Sequence, residues 1–285
     1  MNKLKDMSIA SITATEVNQL RKQTGAGMMD CRKALVESDG DMEKAVDYLR
    51  KKGAKVAALR SDREAREGVI IARTSADGKT GIIINLSCET DFVSKNEEFV
   101  NFAQAIADVA LATHAKSLDE LIDAPFEKAT IKDHLLDQVA KIGEKISVSR
   151  FERVDADGVV AYIHAGNRMG VLVGLNKSLN PTLKSGGKDI AMQIAAMNPI
   201  AVDQASVPES VVAREKEIAI DQVKAEGKPA EMAEKIAIGK MNKFFKDNTL
   251  LAQAFVKNQD QTVGEFIKSL DPALKVTTFK RVALG

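Results

Sequence analysis

The chain has 285 residues, 45% hydrophobic but only 4% aromatic and without tryptophan, and carries 41 basic against 40 acidic side chains for a net charge of +1. Such a length divides into two or three compact units, whose cores must be built from Ala, Val, Ile, Leu and Met. Balanced charge disfavours a grip on phosphate backbones or anionic membranes, since that attraction grows with the number of charges neutralised.

Thr13 and Glu16 have capping-box spacing, so a helix carrying Val17 and Leu20 is expected, ending before Gly25. Met28, Cys31 and Leu35 recur at helical spacing and predict a second helix with Met28 in its core; Met29, on the adjacent face, fits core and partner contact equally. Asp41 can cap a third helix through Met42, Ala45, Val46 and Leu49, with Lys51, Lys52 and Gly53 suited to its C-terminal end. Three short helices bury little area, so the module reads as a docking piece.

After the charged linker LRSDREAREG, the runs VIIART and TGIIINLSC flank an Asp-Gly turn and predict a hairpin. A helix follows with Phe99, Phe102, Ala103, Ile106 and Ala110 on one face. The same order recurs where VVAYIH, the turn AGNR and MGVLVGLN precede a helix carrying Ile190, Ile194 and Met197, which suggests an internal duplication. Between the copies, Ile131, Leu135, Val139 and Ile142 mark a helix, and KISVSRFERV is read as a strand leading into the second sheet. SVPE, from Ser206, has capping-box spacing and opens a helix to about Glu226, which breaks at GKP before a second with Ala233, Ile236, Ala237, Met241 and Phe244; the two should lie antiparallel as an arm. KVTTFKRVAL reads as a last strand returning to a sheet.

Catalytic chemistry is hard to find. His114, His134 and His164 have no second ligand at metal spacing, and neither a phosphate-binding glycine loop nor a dinucleotide fingerprint occurs. A Cys88 nucleophile with His164 as base is the one arrangement on offer, and a free Cys is more often a small buried hydrophobe. No enzyme activity, cofactor or metal is expected. His164, at a strand end, fits either a solvated side chain or a partner contact. No apolar run approaches the roughly 20 residues that span a bilayer, the N-terminus lacks signal-peptide texture, and two distant cysteines suit a reducing compartment. A cytoplasmic location without membrane or direct nucleic acid partners is therefore expected.

CETDFVSKNEEF, Cys88 to Phe99, places Phe92 and Val93 at a corner between strand and helix. Ser94 and Glu97 offer the best capping box, which makes Val93 a poor hydrophobic staple and leaves Phe92 one residue further out. Packing against the sheet and exposure as an apolar wedge beside Asp91 both remain open.

These residues together resemble the bacterial elongation factor Ts family: LRKQTGAGMMDCRKAL, CETDFVSKNEEF, IHAGNRMGVLV and LLAQAFVKN cover nearly the whole chain. The resemblance implies an α+β protein with a three-helix ubiquitin-associated-like domain over 1–54, one core subdomain over 55–145, a related one over 146–205 and 247–285, and a coiled-coil arm over 206–246. It implies a guanine nucleotide exchange factor that binds elongation factor Tu with GDP, displaces magnesium and promotes GDP release. Thr90, Asp91, Phe92 and Val93 would intrude near the nucleotide site, while Arg21, Met28, Met29 and His164 would touch the GTPase elsewhere; a homodimer within a two-plus-two complex is compatible. Asn18 stands where Lys is familiar and Ala254 where Pro is common, and the chain stops at Gly285 where some relatives carry a further helix. The rival reading is a passive protein- or RNA-binding module with KKGAKVAALR as its basic patch.

Overall fold

The structure, a computed structural model, describes residues 12–164, 166–225 and 230–285. Its contacts group into two units: one holds the chain up to Val69, Asn85–Phe151 and Leu284–Gly285, the other Ile70–Ile84 and Glu152–Ala283.

The first unit begins with helices α1 (Ala14–Thr24), α2 (Met28–Glu37) and α3 (Met42–Leu59). Thr13 and Glu16 form the expected capping box and Gly25 closes α1 in a left-handed conformation. Val17, Leu20, Cys31, Ala34, Leu35, Ala45 and Leu49 make the core between the three helices. Met28 does not join them: it opens α2 and is 53% exposed, because the helix starts at this residue and the core lies a turn further on. Gly53 does not end α3 either. A Cβ there would meet the Leu136 carbonyl oxygen at 2.4 Å, so the glycine is the place where another helix comes close, and α3 runs six residues further to Leu59.

Strands β1 (Glu67–Thr74) and β2 (Thr80–Cys88) form the predicted hairpin. There follow α4 (Asp91–Ser94), α5 (Glu97–Ala112), α6 (Leu118–Ile122), the two-residue strands β3 (Pro125–Phe126) and β4 (Ala129–Thr130), α7 (Ile131–Ile142) and β5 (Ser147–Asp155). Phe99, Ala103, Ile106 and Ala110 are buried as the periodicity required. Ser94 does not cap α5, since it lies inside α4 with its hydroxyl donating to the Asp91 carbonyl oxygen; Asn96 caps α5 by accepting from the Glu98 amide at 2.8 Å. The strand expected to lead into the second sheet belongs to the first, whose order is β1-β2-β5. β5 occupies the edge of β2 that β1 leaves open, and the hydroxyls of Ser87 and Ser149 meet across that pairing at 2.5 Å.

In the second unit, β6 (Gly158–His164) and β7 (Met169–Leu175) pair antiparallel with His164 opposite Met169. After α8 (Pro181–Met197) come α9 (Glu209–Ala225), α10 (Ala230–Asn248), β8 (Ala254–Phe255), β9 (Asn258–Thr262), α11 (Val263–Leu270) and β10 (Val276–Ala283), which pairs antiparallel with β7. Val160, Val171, Val173, Leu183, Ile190, Ile194, Phe255 and Ile267 share one core. Met197, expected with them, is half exposed at the last turn of α8. Ser206 does not cap α9: its hydroxyl and amide both bond Asp203, and Pro208 supplies the first carbonyl of the helix. Met241 and Phe245 of α10 are buried with Val211 and Val212 packed near them, while Lys240 reaches Gln222, so α9 and α10 run antiparallel. The GKP break and Ala165 of the AGNR turn lie outside the described residues.

The duplication goes further than the hairpins. β1-β2-β5 and β6-β7-β10 have the same order, and each third strand follows a short hairpin and a helix, β3-β4-α7 or β8-β9-α11. Both helices start with a capping box, Thr130 with Asp133 and Thr262 with Glu265. The α9–α10 hairpin therefore lies where the second half makes an excursion that the first half lacks.

Candidate functional site

Phe92 sits in α4 with 84% of its surface exposed. Isolated helices below about 12 residues are marginal, so a four-residue turn depends on its surroundings. Its entry is clamped from the α7–β5 connection, where Glu144 accepts from the amides of Glu89 (3.0 Å) and Thr90 (3.1 Å) and from the Thr90 hydroxyl (2.7 Å). Gly143, just before it, closes α7 at φ 78 in open space, a backbone state that costs most side chains strain and that turns the chain toward the clamp. Within the turn, Asp91 pairs with Lys95 at 2.6 Å, which lowers the Asp91 pKa. Val93 is half-buried.

The residue below the turn is a charge hub. Glu89 accepts from Arg60 (2.6 Å), Arg63 (3.1 Å) and the Lys145 amide (2.6 Å), while the Lys145 ammonium bonds the carbonyl oxygens of Ser61 and Arg63. Burial raises the Glu89 pKa, but the Lys145 amide and the two guanidiniums outweigh it and hold the carboxyl down at about 2. Cys88 moves the other way: burial, then the charges of Glu144 and Glu67, push its thiol up to about 12, and it donates to the Thr90 carbonyl oxygen. A thiol so placed is protonated and enclosed, which removes it as a nucleophile.

The second half shows how little of this corner the fold requires. In α5 and α8 the buried positions correspond as Phe99 with Leu183, Ile106 with Ile190 and Ala110 with Ile194, whereas aligning Gly81 of β2 with Gly170 of β7 sets Cys88 against Lys177, two residues past the end of β7. Ten residues join Cys88 to Phe99, but five join Lys177 to Leu183. The first half has five more residues here, room for the four-residue α4, which exposes a phenylalanine.

The other candidates divide between the units. Arg21, Met28 and Met29 are exposed on the three-helix module, Met29 by 71%. That module packs on α7 along α3, where Gly53 meets Leu136 and Arg50 lies 3.7 Å from Asp137. Within the proposed basic patch KKGAKVAALR, Lys52 pairs with Asp30 and Arg60 with Glu89, while Lys51 and Lys55 are exposed. His164, in the second unit, is exposed at the end of β6 with its Nδ1 2.8 Å from the Tyr162 hydroxyl. Sequence reasoning singled out Thr90–Val93 but not Glu144, Glu89 or Arg60, which join this corner through partners 26 to 56 residues away with no periodicity linking them.

Residues 89–285 match the family model described as elongation factor TS. The chain belongs to the elongation factor Ts family. It is 48% identical over 277 residues to elongation factor Ts of Christiangramia forsetii, covering 97% of this chain and all of that protein. Elongation factor Ts of Flavobacterium psychrophilum is 48% identical with the same coverage, and that of Clostridium botulinum 44% identical, over 96% of this chain and 93% of its own. As a member of the elongation factor Ts family, the protein is a translation elongation factor that acts as the nucleotide exchange factor for elongation factor Tu. Among the described residues no helix is long and apolar enough to cross a membrane.

Proposed function

We propose that Thr90–Val93 performs the exchange step, with the Phe92 ring entering elongation factor Tu beside its nucleotide site and Asp91 helping to dislodge the magnesium ion that bridges GDP to the GTPase. Arg21, Met28, Met29 and His164 make the surrounding contacts, and since Tyr162 engages Nδ1 of His164, Nε2 is the nitrogen left for the partner. The observation that carries this reading is the 84% exposure of an aromatic ring on a turn held rigidly from below. Solvent exposure of a large apolar ring gains nothing in the free protein, and its burial in a partner gains about 1.5 to 3 kcal/mol.

Nucleotide exchange needs no bond chemistry from this chain. It requires that factor and GDP weaken each other's binding, a coupling that linkage makes reciprocal. Release accelerated about 10⁴-fold takes roughly 5.5 kcal/mol off the barrier, more than one ring supplies. The balance comes from the lost magnesium contacts, a large local charge term, and from the wider interface. The test is Phe92→Ala with release of fluorescent GDP from purified elongation factor Tu followed by stopped flow. The fold should survive, because little buried area is removed, and the rate at saturating factor should drop strongly. An unchanged rate overturns the proposal.

A further inference from the structure

We infer that Glu144 is the positioning residue of the exchange step: by holding the amides of Glu89 and Thr90 and the Thr90 hydroxyl it fixes the direction in which Phe92 projects. This rests on the wedge reading above. Three observations carry it. Helix α4 has four residues and its entry residue Thr90 makes no side-chain bond to the turn it opens, so the weak bond from the Cys88 thiol to the Thr90 carbonyl oxygen is the main local contact bearing on the angle at which the turn leaves β2. Both carboxylate oxygens of Glu144 are spent on that entry, Oε2 on two successive amides and Oε1 on the hydroxyl, which fixes rotation as well as distance. The corresponding corner of the second half, five residues shorter, has a different device: Asn180 caps α8 directly through the Leu183 amide and Lys177 pairs with Asp271. A carboxylate from the connection before the third strand thus reaches this corner in both halves, but Asp271 bonds a side chain there, and only beside the inserted turn does the carboxylate hold backbone amides.

Glu89 gives the clamp a second anchor. Its carboxylate is bonded by the Arg60 and Arg63 guanidiniums at the end of α3 and by the Lys145 amide next to Glu144, so the segment that carries the three-helix module and the segment that carries the clamp converge on the residue before Thr90. Contacts that the GTPase makes with the module are thereby referred to the same point as the wedge.

The experiment compares Glu144→Ala, Glu144→Gln, Phe92→Ala and the double variant Phe92→Ala/Glu144→Ala in stopped-flow GDP release from elongation factor Tu, with thermal unfolding of each factor alone. Misplacement by an ångström costs up to about a hundredfold in a positioned reaction, and Glu144→Ala should lower the rate at saturating factor by about tenfold or more while the half-saturating concentration stays within about twofold. Glu144→Gln, which keeps an acceptor for the amides, should recover much of that loss. In the double variant the rate should match that of Phe92→Ala alone, because Glu144 acts through the ring. Should Phe92→Ala slow release while Glu144→Ala leaves the saturating rate intact, or should the two losses multiply, the positioning role is refuted and the wedge stands. Should Phe92→Ala itself have no effect, the wedge reading fails first. If Glu144→Ala unfolds, the same comparison is made with Glu144→Gln, for which a partial loss absent from a Phe92→Ala background supports the role and additive losses refute it.

Discussion

Gly53 and Gly239 both lie inside long helices, and alanine at each should move stability in opposite directions. Where nothing obstructs the new methyl, glycine to alanine in a helix interior gains about 1 kcal/mol. At Gly239 of α10 nothing lies within 4 Å of a Cβ, so Gly239→Ala should stabilise by roughly that amount. At Gly53 of α3 the methyl would stand 2.4 Å from the Leu136 carbonyl oxygen and 3.1 Å from the Ala140 Cβ, both on α7. Neither obstacle can rotate away, so the helices must separate by about 1 Å, which forfeits a quarter to a half of each van der Waals contact along the seam. Overpacking costs about 1 to 3 kcal/mol and a backbone obstacle puts this site at the upper end, leaving a net loss of about 2 kcal/mol after the propensity gain. In a chain of two units a single melting temperature mixes events, so the measurement is hydrogen exchange, which should quicken about thirtyfold in the amides of α1–α3 for Gly53→Ala and not for Gly239→Ala. The half-saturating concentration in GDP release should rise with it, since the proposed contacts Arg21, Met28 and Met29 ride on that module. Unchanged exchange in α1–α3 would show that the seam is looser than its geometry and refute the reasoning.

Glu89 predicts an acid sensitivity. Its folded pKa of about 2 lies below the ordinary 4.5, so its contribution to stability is complete above about pH 4.5 and disappears as the pH falls through about 2. The gap bounds the contribution at about 3 kcal/mol. Urea unfolding should separate wild type from Glu89→Gln widely at pH 6 and little at pH 2, and an equal separation at both would contradict the hub. Cys88 is fully buried with its thiol pushed up to about 12, so iodoacetamide at pH 8 should leave it unmodified in the native protein and label it after denaturation. Prompt native labelling, read by mass spectrometry of the Cys88 peptide, would count against the closed packing below the turn.

Local chemistry wrote much of this structure into the sequence. The capping box of α1, the Asp-Gly turn, the apolar faces of α5 and α7 and the alternation of the hairpins depend on neighbours within a few residues; the boxes read at Ser94 and Ser206 did not form, because Asn96 caps α5 and Ser206 bonds Asp203 instead. Phe92 could be singled out in the same way, because no local staple or helix face claimed it. Three readings failed where distance entered. Gly53 looks like a helix end until α7 lies against it; Met28 looks buried until the module core proves to lie a turn away; and β5 takes the free edge of β2 although nothing in its residues names that strand.

What the sequence by itself determined, then, was most of the longer helices and strands, though not α11 or the short elements α4, α6, β3, β4, β8 and β9, together with the repeat of the hairpins and the identity of an unclaimed aromatic residue, since each follows from short-range sterics and hydrogen bonding. Only the tertiary structure decided that the ring is exposed, that Glu144 holds the entry of its turn from about 55 residues away, and that the turn is an insertion relative to the second half. Those facts depend on which surfaces meet, and pairing across long loops is set by the packing of whole elements that no window of sequence contains.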